Sequence, residues 1–204
     1  MKLLGPLSAK ELSVVDGAMM GSDSDILVRF IISRGEDSVQ HGSMRTLLPG
    51  AWLNDEIINY FLKKCLAGAT RSSVKRSLGK KPSHFFNSYF MQTLFDQKND
   101  NLNLRGIYNY NHVRIWSRKV IIPSNIFKLK YIFCPINHDN VHCTLAVVFM
   151  EANKIQYYDL LGGTDLVKMQ GLLEYVKDEY KAKHDREDMD ATEWELVSCK
   201  RDTP

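Results

Sequence analysis

The residues of this sequence whose types and order best suit chemistry are His142 and Asp159. His142 lies on one predicted strand, and Asp159 closes the next. Because a hairpin can bring two such positions side by side, the carboxylate can bind one ring nitrogen and fix the imidazole tautomer. The other nitrogen can then take a proton from a thiol or hydroxyl, as a general base does. With six histidines in the chain, spacing alone favours a surface histidine beside a turn aspartate.

Three consecutive strands must position this pair. Apolar and β-branched runs predict them at 131–135, 141–150 and 154–158, with a hairpin turn between the last two. Residues 166–180 then predict a long amphipathic helix, and 194–197 a last short strand.

Helices dominate the first half of the sequence. A capping box at 8–11 predicts a helix to about Met20, and 27–33 predicts a strand. Asn54 suits the N-cap of a second helix. The apolar residues assigned to its core-facing side are Ile57, Ile58, Phe61, Leu62 and Cys65. A third helix is predicted within 85–95 and a loop at 99–111. Helices, then a strand meander, then a helix indicate an α+β class.

Composition restricts the remaining classes. The chain has 204 residues, 44% hydrophobic and 25% charged, as expected for one globular domain over 1–204. A net charge of +3 is too small to indicate a nucleic-acid protein, and the basic stretch at 68–83 is interpreted as a solvated loop. Four cysteines without disulfide spacing, and no secretory or membrane segment, predict the cytoplasm or nucleus.

Four segments resemble, in order, those of the ubiquitin-like-protein proteases, the SUMO- or sentrin-specific family. Residues 52–59 (WLNDEIIN) resemble the family's entry helix, and 85–88 (FFNS) the start of its next helix. Residues 132–137 (IFCPIN) with 142–145 (HCTL) resemble the strand of the catalytic histidine. Residues 155–163 (IQYYDLLGG) resemble the strand and turn of the catalytic aspartate. The family order is kept from about Ser8 to the carboxyl end.

The resemblance implies a papain-like cysteine protease fold, with N-terminal helices, an antiparallel or mixed sheet and a C-terminal helix. It implies that His142 is the general base and that Asp159 orients it. Trp52 would cover the Gly-Gly tail of the substrate, and Asp55 would meet a basic residue on the modifier. Thiolate attack after Gly-Gly would release a propeptide or a modified lysine. The implied partner is SUMO or another ubiquitin-like protein with its conjugates, without cofactor, metal, nucleic acid or membrane.

The sequence departs from the family at the nucleophile. The family carries Asp-Cys-Gly at the start of a helix, with an oxyanion glutamine shortly before it, and this chain contains neither. We therefore expect a domain that stops before the nucleophile and is inactive alone. Cys65 is expected on a buried helix face, Cys134 inside an apolar strand, and Cys143 on the opposite strand face from His142. Cys199 lies in no recognisable context.

A smaller departure concerns the substrate tunnel. Cys143 stands where the family commonly has a tryptophan that helps to enclose the glycine tail, so we expect a looser tunnel around this substrate-binding position. Leu160 stands where the family often has serine.

Three alternatives remain beside an active protease. One is a catalytically dead module that binds a ubiquitin-like protein, which the retention of His142 and Asp159 disfavours. A second is a metal site formed by Cys134, His138, His142 and Cys143, whose ligand types suit zinc but whose spacing does not match a finger or ribbon. The third is nucleic-acid binding through 68–83, which lacks interleaved aromatic residues.

Overall fold

The computed structural model describes residues 6–32, 35–66, 81–96, 106–119, 125–138, 141–185 and 187–199. These residues fall into two units, the amino-terminal unit Met1–Tyr60 and the carboxyl-terminal unit Phe61–Pro204. No helix of the described part is long and apolar enough to span a bilayer.

The described part of the amino-terminal unit contains three helices and two antiparallel strands. They are α1 (Ala9–Met19), β1 (Ile26–Ile32), β2 (Gly35–Gln40), α2 (His41–Arg45) and α3 (Asp55–Tyr60). The predicted capping box is confirmed, since the Ser8 hydroxyl accepts from the Glu11 amide and the Glu11 carboxylate accepts from the Ser8 amide. The predicted first strand is confirmed as β1, which pairs antiparallel with β2. Phe30, Val39 and Ile57 form a small core.

The helix predicted after Asn54 is only partly confirmed. The Asn54 side chain accepts from the Ile57 amide at 3.1 Å, as an N-cap should. However, the α-helix covers only Asp55–Tyr60, and Phe61–Leu66 form a π-helix. Because a π-helix has wider turns, a 3.6-residue pattern no longer assigns faces correctly. Phe61, predicted to face the core, is 50% exposed.

A five-stranded mixed sheet is the main element of the carboxyl-terminal unit. Its strands, in the order in which they pair, are β3 (Ser83–Phe85), β6 (Tyr131–His138), β7 (His142–Phe149), β8 (Lys154–Tyr158) and β9 (Glu195–Cys199). The central three form an antiparallel meander, while β3 and β9 run parallel to their neighbours. The predicted meander and the predicted last strand are confirmed.

Two helices cover one face of this sheet. They are α4 (Tyr89–Leu94) and α5 (Leu166–Lys183). Both contribute fully buried side chains to one core with the sheet, and these include Phe90, Leu94, Met169, Leu172 and Val176. The predicted long helix is confirmed as α5, whose Asp165 N-cap accepts from the Lys168 amide.

Two predictions in this unit are corrected. The helix predicted over 85–95 begins only at Tyr89, because 83–85 pair with β6 as a parallel strand. The stretch predicted as a loop at 99–111 includes a short strand, β5 (Ile107–Tyr108), which pairs with β4 (Phe95–Asp96). Most of the basic stretch at 68–83 lies outside the described residues.

A carboxylate is buried in α5. Glu179 has no exposed surface, and its Oε1 accepts from the Tyr110 hydroxyl at 2.9 Å. Burial raises the pKa of Glu179, and this effect exceeds the lowering by hydrogen bonds from Tyr110 and Ser117. The folded protein therefore holds the Glu179 proton more tightly than the unfolded chain does.

We expect Glu179→Gln to remove a pH dependence of stability. In the parent protein the free energy of unfolding should fall as pH rises above about 4.3, because the unfolded carboxyl ionises first and the folded state then binds more protons. Glutamine keeps an acceptor for Tyr110 and cannot ionise, so this fall should disappear. Urea denaturation from about pH 4.5 to pH 7 measures the difference.

The matched control is Glu174→Gln on the same helix. Glu174 is exposed and pairs with Lys177 at 2.9 Å, so its replacement should change stability by less than about 1 kcal/mol. Parallel pH profiles for the parent and Glu179→Gln would contradict the assignment.

Candidate active site

The structure brings His142 and Asp159 together at one end of the central strands. His142 is the first residue of β7, and Asp159 directly follows β8, which pairs with β7. His142 Nε2 lies 2.7 Å from Asp159 Oδ1. Their side chains are only 16% and 10% exposed, so water competes little for this hydrogen bond.

The turn after β8 holds the Asp159 carboxylate. Oδ1 also accepts from the Leu161 amide at 2.8 Å, and Oδ2 accepts from the Gly163 amide at 3.1 Å. Gly162, at φ +78°, supplies the left-handed conformation that this reversal needs. Both carboxylate oxygens are therefore fixed by the backbone of one tight turn.

These contacts keep Asp159 ionised. Burial raises the pKa of Asp159, but the Leu161 amide, the His142 ring and the Gly163 amide together outweigh it, and the pKa lies below its ordinary value. A carboxylate only accepts, so in neutral His142 the Nε2 atom carries the hydrogen. Nδ1 is then the ring nitrogen that can accept a proton from a reacting group.

The three residues predicted to bind the substrate differ in position and exposure. Trp52 precedes α3 in the amino-terminal unit and is 54% exposed. Asp55 is the first residue of α3 and is half-buried. Cys143 is half-buried and lies opposite Asn137 in the β6–β7 ladder.

The cysteines occupy three described environments. Cys134 is fully buried, and burial strongly raises the pKa of its thiol, which makes it inert. Cys143 follows His142 in a strand, where successive side chains point to opposite faces. Cys199 lies on β9, and its sulfur accepts from the Gln156 amide nitrogen at 2.8 Å. The side chain of Cys65 lies outside the described residues.

The metal alternative gains no support from the described part of the chain, where no three His, Cys, Asp or Glu side chains form a group suited to a metal ion.

Sequence reasoning placed Gly163 in the turn after Asp159 but did not predict that its amide binds the carboxylate. It did not find Lys168, and it considered His138 only as a metal ligand. Gly163 donates to Asp159, and Lys168 lies beside His138, which contacts His142. The Gly162-Gly163 pair after Asp159 was the sequence signal for Gly163. No local sequence signal indicates Lys168, because this residue lies on a separate helix.

The sheet order and the covering helices give the chain an α+β, papain-like cysteine protease fold, with the hydrogen-bonded histidine and aspartate at one end of its central strands. Solved structures share this fold. The C-terminal Ulp1 protease domain in complex with Smt3, the yeast orthologue of SUMO, superposes with a TM-score of 0.65 at 24% identity, over 98% of this chain and 78% of that one. The catalytic domain of the Chaetomium thermophilum Ulp1-like SUMO protease gives 0.70 at 23% identity, over 98% and 73%.

Residues 51–203 match the Ulp1 protease family, C-terminal catalytic domain, and the chain belongs to this family. It is 33% identical to Ubiquitin-like-specific protease 1A of Arabidopsis thaliana over 93% of this chain and 35% of that protein. It is 27% identical to Sentrin-specific protease 2 of Homo sapiens over 79% of this chain and 24% of that protein. The chain thus spans about a third or less of these curated relatives.

Proposed function

We propose that this chain provides the histidine and aspartate of a cysteine-type peptidase that cleaves after the C-terminal Gly-Gly of a SUMO-like modifier. The observation that carries the proposal is the 2.7 Å hydrogen bond between His142 Nε2 and Asp159 Oδ1 in a chain of the Ulp1 family. The substrates are modifier precursors and conjugates, so the reaction includes propeptide processing and isopeptide cleavage.

In this mechanism His142 Nδ1 takes the proton of a cysteine thiol, and Asp159 holds the ring and stabilises the imidazolium that forms. The thiolate attacks the carbonyl carbon of the second glycine of Gly-Gly. The imidazolium then returns its proton to the leaving amine, and water hydrolyses the thioester. Because none of the chain's cysteines stands in an Asp-Cys-Gly turn, we expect the 204-residue chain alone to cleave nothing.

Supplying the nucleophile tests this function. We would extend the chain with the segment of a SUMO protease that carries the glutamine and the Asp-Cys-Gly turn, and incubate it with a SUMO precursor. Cleavage after Gly-Gly is expected, and His142→Gln should lower kcat/KM by roughly 10²- to 10⁴-fold, the usual contribution of a general base. His112→Gln, a histidine in a different described element, is the control and should retain activity.

A second candidate is a module that binds the modifier without cleaving it. Cys143 favours it slightly, because a small side chain replaces the family's tryptophan at the tunnel. If the extended chain binds SUMO but does not cleave the precursor, this function replaces the first. If the extended chain neither binds nor cleaves, both functions fail.

Trp52 is proposed to cover the Gly-Gly tail. Its large exposed surface is typical of an interface anchor, so Trp52→Ala should weaken SUMO binding at least about 30-fold, the effect of removing 2 kcal/mol. The control is Tyr89→Ala, which removes an aromatic side chain of similar exposure, 52%, outside the proposed contacts. Isothermal titration of each variant with mature SUMO measures both affinities. Equal affinities of the two variants would remove Trp52 from the interface.

Asp55 is proposed to contact a basic residue of the modifier and Cys143 the glycine tail. The working compartment is proposed to be the nucleus or cytoplasm, where thiols stay reduced.

A further inference from the structure

His138 lies beside the ring of His142 in an offset stack. It is the last residue of β6 and lies directly opposite His142 in the ladder. The two ring centroids are 5.8 Å apart, and the planes are inclined by 25°. This is an offset stack at a typical distance. Asp159 therefore holds the His142 ring by its edge, while His138 packs against its face.

The His138 ring is itself fixed by polar contacts. Nε2 lies 2.9 Å from the Thr144 hydroxyl and 3.4 Å from the Tyr157 hydroxyl, and both of these residues are buried. Nδ1 lies 3.4 Å from Lys168 Nζ. Because an ammonium group only donates, Nδ1 must accept, and Nε2 therefore carries the hydrogen that it donates to Thr144.

Burial and the charges around His138 keep its ring neutral. The groups that face it are Lys168 and Asp165 at the start of α5, together with His142 and Asp159. Burial lowers the pKa of His138, Lys168 and His142 lower it further, and the two aspartates only partly oppose them. A neutral neighbour tolerates an imidazolium at His142, whereas a charged one would repel it.

We propose that His138 is a positioning residue of the site, whose neutral ring, oriented by Thr144 and Lys168, stacks on His142 and keeps it in line with the Asp159 carboxylate. The proposal rests on the proposed role of His142 as general base. Its test reads the geometry of the ring without substrate, so its failure is distinguishable from failure of the proposed function.

The first experiment compares His138→Phe with His138→Gln in the 204-residue chain by proton NMR at about 15 °C, near the temperature of greatest stability of most domains. The readout is the exchange rate with water of the Nε2 proton that His142 donates to Asp159. Phenylalanine keeps a ring and should leave the rate close to that of the parent. Glutamine keeps polar atoms without a ring and should raise the rate roughly two- to tenfold, the factor that such a ring pair implies.

The second experiment tests whether Lys168 helps to keep the His138 ring neutral. In Lys168→Met the pKa of His138 should rise, because removal of a neighbouring cation eases protonation while burial still opposes it. Carbon-detected titration of the imidazole measures it. A variant with unchanged thermal unfolding and a raised His138 pKa supports the proposal.

Two results would overturn it. If His138→Gln exchanges at the parent rate, stacking does not hold the His142 ring. If the pKa of His138 is the same in Lys168→Met, the lysine does not keep the ring neutral. Cleavage assays on the extended chain are separate, and their outcome leaves both conclusions unchanged.

Discussion

Replacing Gly171 with alanine is expected to destabilise the protein, although alanine favours a helix interior over glycine by about 1 kcal/mol. Gly171 lies in α5 against the ring of Phe95, and an added Cβ would overlap Cζ and stand 2.7 Å from Cε2. Phe95 is only 8% exposed, so its ring has little room to retreat. Overpacking of this kind typically costs about 1–3 kcal/mol, which outweighs the gain in helix propensity. The midpoint of urea denaturation measures the net change.

Gly17→Ala is the matched control. It is the same substitution in α1, where an added Cβ meets no heavy atom within 4 Å. Only the difference in helix propensity between alanine and glycine remains, so this variant should be as stable as the parent or more stable by up to about 1 kcal/mol. Equal stabilisation in both variants would show that α5 does not approach Phe95 as closely as described.

Local signals explain the parts of the fold that the sequence predicted well. Apolar runs separated by a short polar turn predicted the β6–β8 meander. Between β7 and β8 the chain reverses at Asn153, whose φ is +47°. The start of α1 follows from the reciprocal hydrogen bonds of Ser8 and Glu11. Each of these features depends on residues close together in the chain, so the sequence pattern is sufficient.

Two features of the folded chain explain the failures. Phe85 was included in the helix predicted over 85–95 because Phe86, Phe90 and Leu94 have helical spacing. Residues 83–85 form a strand instead, since β6, far along the chain, pairs with them in parallel. Phe61 was assigned to the core by a 3.6-residue pattern that the π-helix does not follow. Neither effect leaves a local signal.

The candidate site also contains residues that the sequence predicted and contacts that it did not. His142 and Asp159 were predicted from two strands and a family resemblance, and the described geometry brings them into hydrogen-bonding contact. The turn amides that fix Asp159 and the contact of Lys168 with His138 depend on the folded backbone and on a separate helix, so residue types alone did not indicate them.

Gly163→Ala is expected to release Asp159 from His142. An alanine Cβ at this position would overlap Oδ2 of Asp159, and its backbone is not in the left-handed region, so the conflict is with the carboxylate alone. Because Oδ1 binds His142 and the Leu161 amide, displacement of Oδ2 moves the whole carboxylate. A misplacement of about 1 Å can lower a catalytic rate by about 10²-fold, and we expect that loss in the nucleophile-bearing extended chain.

The same variant should change the titration of Asp159. In the parent the pKa of Asp159 lies below its ordinary value of about 3.9. The ionised carboxylate therefore stabilises the folded state above about pH 3.9, and this stabilisation is lost as the pH falls through the folded pKa. In Gly163→Ala the pKa of Asp159 should rise, since the amide and ring donors no longer reach the carboxylate. Carbon-detected NMR of the carboxyl group measures this shift without substrate.

Leu160→Ser is the control for this turn. Leu160 is 79% exposed, and serine is common there in the family, so the variant should keep both the Asp159 titration and the cleavage rate. Loss of activity in Gly163→Ala with an unchanged Asp159 titration would place the damage elsewhere in the turn. If Gly163→Ala keeps both the Asp159 titration and the cleavage rate of the parent, the turn after β8 does not position the carboxylate. The 2.7 Å contact with His142 must then be held by the strands β7 and β8 alone.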